Sequence, residues 1–198
     1  PKIRLSMSPH SPYNAHPRLW ERILEYTLSN NIFIHTHLAE SLDEKKWFEF
    51  GESEIDKIHN FIGWPKINPQ ITSMSPVEYL STLQLLSDNI IAAHLCYASS
   101  RDLELLEDNE VSIVICPRSN LNLNKRMLNY DLLKSLKIKP IIAIDGIASA
   151  GSLSLLEELR VFSSKNVVDT NELLKMVTLY PAKALKLDSL VGSLEEGK

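Results

Sequence analysis

Short, largely apolar runs occupy residues 3–8, 31–37, 90–94, 111–116 and 140–145, and between them apolar positions return every three or four residues. The short runs, rich in Ile, Val and Phe, have the pattern of parallel strands covered on both faces. The longer segments have the period of amphipathic helices, expected at 17–29, 41–50, 76–87, 99–109 and 129–136, with two more at 152–162 and 171–185 after the last strand. Pro17 and Pro76 suit first-turn positions, where the missing N–H costs nothing. Alternation of this kind predicts an α/β fold with a parallel sheet. Residues 51–75 break the rhythm with Gly63, Pro65, Pro69 and Ser75. They read as an extended loop able to hold a short helix, and long βα loops often close over a site.

Polar residues gather where strands end. His10 follows the first strand, His37 and His94 close the second and third, and Asp145 closes the fifth. Ligands of parallel α/β sheets bind at the carboxyl ends of strands, so convergence on one site is the economical expectation. In His35-Thr36-His37-Leu38-Ala39-Glu40, strand alternation points His35 and His37 to one side and leaves Glu40 just past the end. An imidazole and a nearby carboxylate can supply one metal ligand and one proton-transfer group. A polar strand end running into a helix with Glu in its first turn is the plain alternative. Asp145-Gly146 has a similar alternative in turn chemistry. After the fourth strand, Cys116-Pro117-Arg118-Ser119-Asn120-Leu121 combines a Pro turn with side chains able to hydrogen-bond a ligand; pattern alone does not separate Ser119 or Asn120 from an ordinary turn. Arg118 is expected to face solvent, as arginines in turns usually do.

Composition narrows the classes. In 198 residues, 44% are hydrophobic and 23% charged, enough apolar material for one globular domain. A formal net charge of −4 offers no basic surface for nucleic acid. No apolar run approaches the roughly 20 residues that span a bilayer, and no basic-then-apolar leader opens the sequence, so a cytoplasmic location without membrane attachment is expected. Cys96 and Cys116 stand singly in apolar runs and read as buried thiols.

The order of motifs resembles the amidohydrolase superfamily, in the branch of triazine hydrolases, guanine deaminase and adenosine-type deaminases. The matching blocks are Ser8-Pro9-His10-Ser11-Pro12-Tyr13, His37-Leu38-Ala39-Glu40-Ser41, Ala93-His94-Leu95-Cys96-Tyr97, Cys116 to Leu121, Asp145 to Ser149, and Val191 to Lys198. Tyr97, with Glu40-Ser41 followed by Glu44 and Trp47, looks most like the aminofutalosine deaminases of futalosine-dependent menaquinone synthesis. The resemblance implies a parallel (β/α) barrel of TIM type, of which this chain supplies about the C-terminal five strands and helices. Residues 1–187 would be this partial barrel, and 188–198 the return into a small β-domain. By position, His37 and Asp145 resemble metal ligands, and Glu40, His94 and Asp145 resemble catalytic groups. His10, Ser119 and Asn120 resemble substrate-side residues.

The family takes two further metal ligands from an H-x-H on its first barrel strand, a motif without counterpart in this sequence, so an internal segment of a longer chain is implied. No Lys stands at Ser8-Pro9-His10 to bridge two ions, which favours one divalent metal, Zn or Fe(II). The implied activity is hydrolytic deamination of a 6-aminopurine nucleoside by metal-bound hydroxide, aminofutalosine-like, in a possible homodimer. Alternatives in the same branch are guanine, methylthioadenosine or adenosylhomocysteine deamination and triazine dechlorination. The alternative from another class is a non-catalytic purine-binding module. The segment alone is expected to bind metal weakly and to lack activity.

Overall fold

The computed structural model describes residues 3–64 and 73–198. Their strands, β1 (Ser6–Met7), β2 (Phe33–Leu38), β3 (Ile90–His94), β4 (Ser112–Ile115) and β5 (Ile141–Ile142), form one parallel sheet in chain order, as the alternating pattern requires. The centre is held by β2 and β3, paired over five successive residues from Ile34↔Ile90 to Leu38↔His94. Apolar residues are buried on both faces of these strands: Ile34, Leu38, Ile90 and Ala92 have no exposed surface on one, and Phe33 and Ile91 are each 7% exposed on the other. That explains near-continuous apolar runs in place of simple alternation.

The outer strands are shorter than expected. Pairing at β1 is confined to Ser6 and Met7, and Ile3 and Leu5 stand 78% and 77% exposed. Apolar character marked these residues as strand-like but does not supply a partner. At the other edge Pro140 has no N–H to donate, and regular pairing covers only Ile141 and Ile142. The ladder's direction continues one step, with Ala143 N–H donating to Ile115 O at 3.0 Å.

Helices α1 (Pro17–Asn30), α2 (Leu42–Phe50), α3 (Glu54–Ile62), α4 (Pro76–Thr82) and α5 (Ser100–Asp108) lie between β1 and β4 in chain order. Helix α3 lies in the segment expected to be mostly loop; it is fixed by a reciprocal capping box, Ser53 with Asp56, and closed by Gly63 at φ 72°. The prolines at 65 and 69, which also suggested a loop, lie outside the described residues. Beyond β4 come α6 (Pro117–Asn124) and α7 (Tyr130–Ser135), and beyond β5 α8 (Ile147–Ala150), α9 (Leu155–Lys165), α10 (Thr170–Val177) and α11 (Leu179–Ala184). The helix expected over 171–185 is two helices: Pro181 cannot donate to the carbonyl of Val177, and Thr178 leaves helical geometry at φ −127° and ψ −76°. Helix α6 is a full helix where the sequence suggested a turn, with Pro117 as its first residue.

The core collects Trp20 from α1, Phe48 from α2, Leu103 and Leu106 from α5 and Phe162 from α9 around the sheet. Cys96 and Cys116 are buried free thiols, as expected. Among the described residues no helix is long and apolar enough to cross a membrane. Phe162 is fully buried, edge-on to Tyr130 at 5.5 Å between ring centroids. Its replacement by Ala is expected to cost about 3–5 kcal/mol through lost transfer energy and a residual cavity. Denaturant unfolding measures this, and a loss too small to shift the midpoint would contradict the assigned core.

Candidate active site

The parallel register carries the ends of β2 and β3 to the same height, Leu38 opposite His94. Both strands then turn sharply through residues with positive φ, Ala39 at 48°, His94 at 78° and Leu95 at 53°. Leu95 N–H reaches Leu38 O at 3.0 Å and its own neighbour Ala93 O at 3.2 Å, so His94 sits at the centre of a γ-turn, while Tyr97 N–H donates to Ala39 O at 2.9 Å. A bulky side chain in this region costs about 1–3 kcal/mol and persists only where its surroundings enforce it. The result is a fixed aim for the imidazole, which is 2% exposed.

Three histidines stack along this edge. His37 lies against His94 at 5.2 Å and 12° between planes, and against His10 at 4.6 Å. The His10 carbonyl ties the first strand end to the second: it accepts the backbone N–H of His37 at 2.9 Å and the ring Nδ1–H of His37 at 2.8 Å. Thr36, 3% exposed, donates its hydroxyl to the same oxygen at 3.3 Å. With its Nδ1 proton committed, the His37 ring keeps the lone pair of Nε2 for another partner. Asn14 donates from Nδ2 to Nδ1 of His10 at 2.9 Å, so that ring carries its proton on Nε2. Burial lowers the His10 pKa, with the neighbouring His37 adding to the effect, and the ring is neutral near pH 7. His35, one pleat back, lines a groove with Ser6 and Phe33, and burial lowers its pKa too.

Helix α6 supplies the opposite wall. Ser119 and Asn120 occupy its first turn and are both fully buried. His94 Nδ1–H donates to Asn120 Oδ1 at 2.8 Å, which leaves His94 Nε2 facing Glu40 Oε1 at 3.8 Å. Ser119 donates to Asp145 Oδ2 at 2.6 Å, and Ser149 from α8 donates to the same oxygen at 2.9 Å. Burial works to raise the Asp145 carboxyl, but hydrogen bonds from Ser119, the Gly146 N–H and Ser149, with the field of His94, outweigh it and hold the pKa below its usual value. Thus His10, His37, Glu40, His94, Ser119, Asn120 and Asp145 form one contiguous arrangement. Its ring stack and its carboxylate pocket meet at the Ser119-Asn120 pair.

Comparison with known proteins places the chain in a family. The sequence pattern of the Amidohydrolase family matches residues 3–198. The chain belongs to the amidohydrolase family. A 5-methylthioadenosine/S-adenosylhomocysteine deaminase of Halothermothrix orenii is 29% identical over 204 residues, covering 99% of this chain and 42% of that protein. Among solved structures, the Helicobacter pylori aminofutalosine deaminase superposes with TM-score 0.83 at 25% identity, over 100% of this chain and 50% of that one. An adenosine deaminase from Xanthomonas campestris with bound zinc gives TM-score 0.77 at 25% identity, over 98% and 41%. The chain therefore spans about two fifths to one half of the length of these relatives.

An amidohydrolase metal ion has suitable donors here. His37, with Nδ1 bound to a carbonyl and Nε2 open, has the preparation usual in metal-ligating imidazoles, and Asp145 is an ionised carboxylate held by two hydroxyls. The described residues contain no cluster of three or more His, Cys, Asp or Glu placed to hold an ion.

Two groups in this region have roles that the sequence reading did not assign. Arg118 does not face solvent: its side chain is 11% exposed and bound to Glu158, which is fully buried. Glu44, in α2, is also fully buried, and its Oε2 accepts the Glu40 N–H at 2.7 Å, fixing the turn that carries Glu40. The Ser41-x-x-Glu44 spacing was the available signal, since Ser41 accepts the Glu44 N–H at 3.0 Å as a helix cap. Burial pushes the Glu44 carboxyl up to about 8, against the pull of backbone N–H donors at Glu40 and Ala39. An acid raised in this way keeps its proton in the folded protein after the unfolded chain has lost it. Its contribution to stability is full at low pH and declines as pH rises from the ordinary carboxylate range toward about 8. Unfolding midpoints of wild type and Glu44→Gln, followed across that range, should show wild type losing ground to the variant as pH rises. A pH-independent difference would contradict a protonated Glu44.

Proposed function

We propose that the complete protein carrying this chain hydrolytically deaminates a 6-aminopurine nucleoside, with an aminofutalosine-like nucleoside of menaquinone synthesis as substrate. The observation that carries this reading is the placement of the Glu40 carboxylate 3.8 Å from Nε2 of a His94 whose other nitrogen is anchored to Asn120. A carboxyl group and an imidazole at one strand-end turn can move protons on opposite sides of the same reaction. The deaminase relatives, and the likeness to an aminofutalosine deaminase, support the reaction class and the substrate.

His37 and Asp145 would hold one divalent ion, Zn or Fe(II), through imidazole nitrogen and carboxylate oxygen. Such an ion acts as a Lewis acid and lowers the pKa of water toward neutrality. Glu40, protonated, gives its proton to the ring nitrogen next to the amino-bearing carbon, which makes that carbon more electrophilic as the oxygen of water adds to it. Nε2 of His94 and the Asp145 carboxylate accept the proton that water releases. When the carbon–nitrogen bond breaks, the Glu40 carboxylate takes the proton of the added hydroxyl and passes it to the amino group, which departs as ammonia, and the proton held at His94 and Asp145 then restores the Glu40 acid. Ser119 and Ser149 serve this scheme by keeping Asp145 ionised, and Asn120 by keeping Nε2 of His94 as its exchanging nitrogen. His10, exposed at the same edge with Nε2 protonated, offers a hydrogen bond to the substrate.

Glu40→Gln keeps the shape of the side chain and removes the transferable proton. In the metal-loaded complete protein it is expected to lower ammonia release from aminofutalosine by roughly 10²–10⁴-fold, the usual worth of a positioned acid-base group. Turnover at the wild-type rate would overturn the role of Glu40, and a wild type releasing no ammonia from any 6-aminopurine nucleoside would overturn the reaction.

A further inference from the structure

Arg118 makes six hydrogen bonds, and all but one of their acceptors lie beyond the fifth strand in the segment leading into α9 or at its buried face. Its backbone N–H donates to Glu158 Oε2 at 2.9 Å and its Nε to Glu158 Oε1 at 2.9 Å. Nη2 donates to the carbonyls of Ser152 and Ser154 at 2.8 and 3.2 Å, and Nη1 to the Ser152 hydroxyl at 2.8 Å. The remaining bond, from Nη1 to Glu157 Oε2 at 2.6 Å, goes to a side chain that is 49% exposed. A carboxylate without exposed surface, receiving both a main-chain and a side-chain N–H of one residue, fixes that residue in position and orientation. Arg118 immediately precedes Ser119 and Asn120, whose side chains hold Asp145 and His94. No side chain cap secures this end of α6, because residue 116 is Cys and residue 117 is Pro.

We propose that Arg118 is a positioning residue: bound to buried Glu158, it sets the first turn of α6 so that Asn120 fixes the His94 tautomer and Ser119 supports Asp145. Glu158 reaches the α6 backbone directly, in place of a cap, and the Arg118 guanidinium extends the grip to two carbonyls of the 152–154 segment. The bond to exposed Glu157 is a rim contact in water and contributes little to the placement. The inference concerns the arrangement of the site and rests on the deaminase reading only where rates are compared.

The test uses the complete protein with Arg118→Met, Arg118→Lys and Glu157→Gln. Histidine nitrogen NMR reports which His94 nitrogen carries the proton, and steady-state kinetics report kcat and KM for the nucleoside. Wild type and Glu157→Gln should show a single Nδ1–H tautomer at His94. Arg118→Met should populate the second tautomer and lower kcat by roughly tenfold to a hundredfold with KM little changed, the pattern of misplaced reacting groups. Arg118→Lys, which keeps the charge opposite Glu158 but lacks the fork for both carbonyls, should fall between them and covers the case in which Arg118→Met does not fold. Combining Arg118→Lys with Ser119→Ala should lower kcat by less than the product of the single effects. A single His94 tautomer and wild-type kcat in Arg118→Lys, with only a lowered unfolding temperature, would overturn the proposal. Failure of the deaminase reading shows differently, as a wild type that releases no ammonia while its His94 tautomer still responds to Arg118.

Discussion

The pairing of β2 with β3 is the constraint on which the site depends. Five residue pairs set the register, and Leu38 opposite His94 is the last of them. Beyond that point the two chains are cross-linked by Leu95 to Leu38 and Tyr97 to Ala39. In this register His37 lies beside Ala93 and His94 beside Leu38, and the positive φ of His94 brings its ring against His37, so a slip of one residue would break the alignment of the two rings and separate Glu40 from His94. The shared burial of Ile34, Leu38, Ile90 and Ala92 on one face resists such a slip, because the slipping strand would carry its buried residues to the other face while its neighbour's stayed. Packing in the centre of the sheet thereby stabilises positive-φ backbone at its end, where Ala39, His94 and Leu95 direct their neighbours toward one another. The strain is local, and the long apolar ladder behind it offsets the cost.

Polar groups then finish what the register begins. Two buried carboxyl groups near the site are tied to backbone: the protonated Glu44 to the N–H of Glu40, and Glu158 to the N–H of Arg118. Glu158 is further paired with the Arg118 guanidinium, and removing the partner of a buried pair typically costs about 3–5 kcal/mol. Each of these carboxyls lies on a helix packed behind a strand-end turn and grips the turn from inside. In this way helices α2 and α9, which contribute no reacting group, determine where Glu40, Ser119 and Asn120 sit. Asp145 is arranged in the opposite sense, with hydroxyl donors that favour its ionised form at the site edge.

The sequence made the parallel α/β order and its strand ends legible because buried parallel strands leave compact apolar runs and the chemistry stands directly after them. His10, His37, His94 and Asp145 could be assembled on that basis alone, and Glu40 followed from its distance past the strand. The extent of β1 and β5 was less legible, since hydrophobicity reports burial and an edge strand pairs only where a neighbour reaches. Helix α6 was hidden by Pro117, a residue equally at home in a turn and in a helix's first turn, and by polar side chains whose partners, Asp145 and His94, lie 26 residues away. Arg118 illustrates the same limit: its composition signal is that of a surface residue, and only the fold brings Glu158, 40 residues along, to its side. The capping box at Ser53 and Asp56 was a local signal for α3 that the prolines and glycine of that segment obscured.

The central claim is that one strand-end turn brings two proton-transfer groups to bear on a single purine edge. It is tested most directly by a crystal structure of the complete, metal-loaded protein with a nucleoside analogue bearing a tetrahedral hydroxylated carbon in place of the amino-bearing one. The account predicts the Glu40 carboxyl on the ring nitrogen and His94 Nε2 on the hydroxyl of that carbon, each at hydrogen-bond distance of roughly 2.6–3.2 Å. An analogue bound with its hydroxylated carbon turned away from both groups, or seated at the amino ends of the strands, would contradict it.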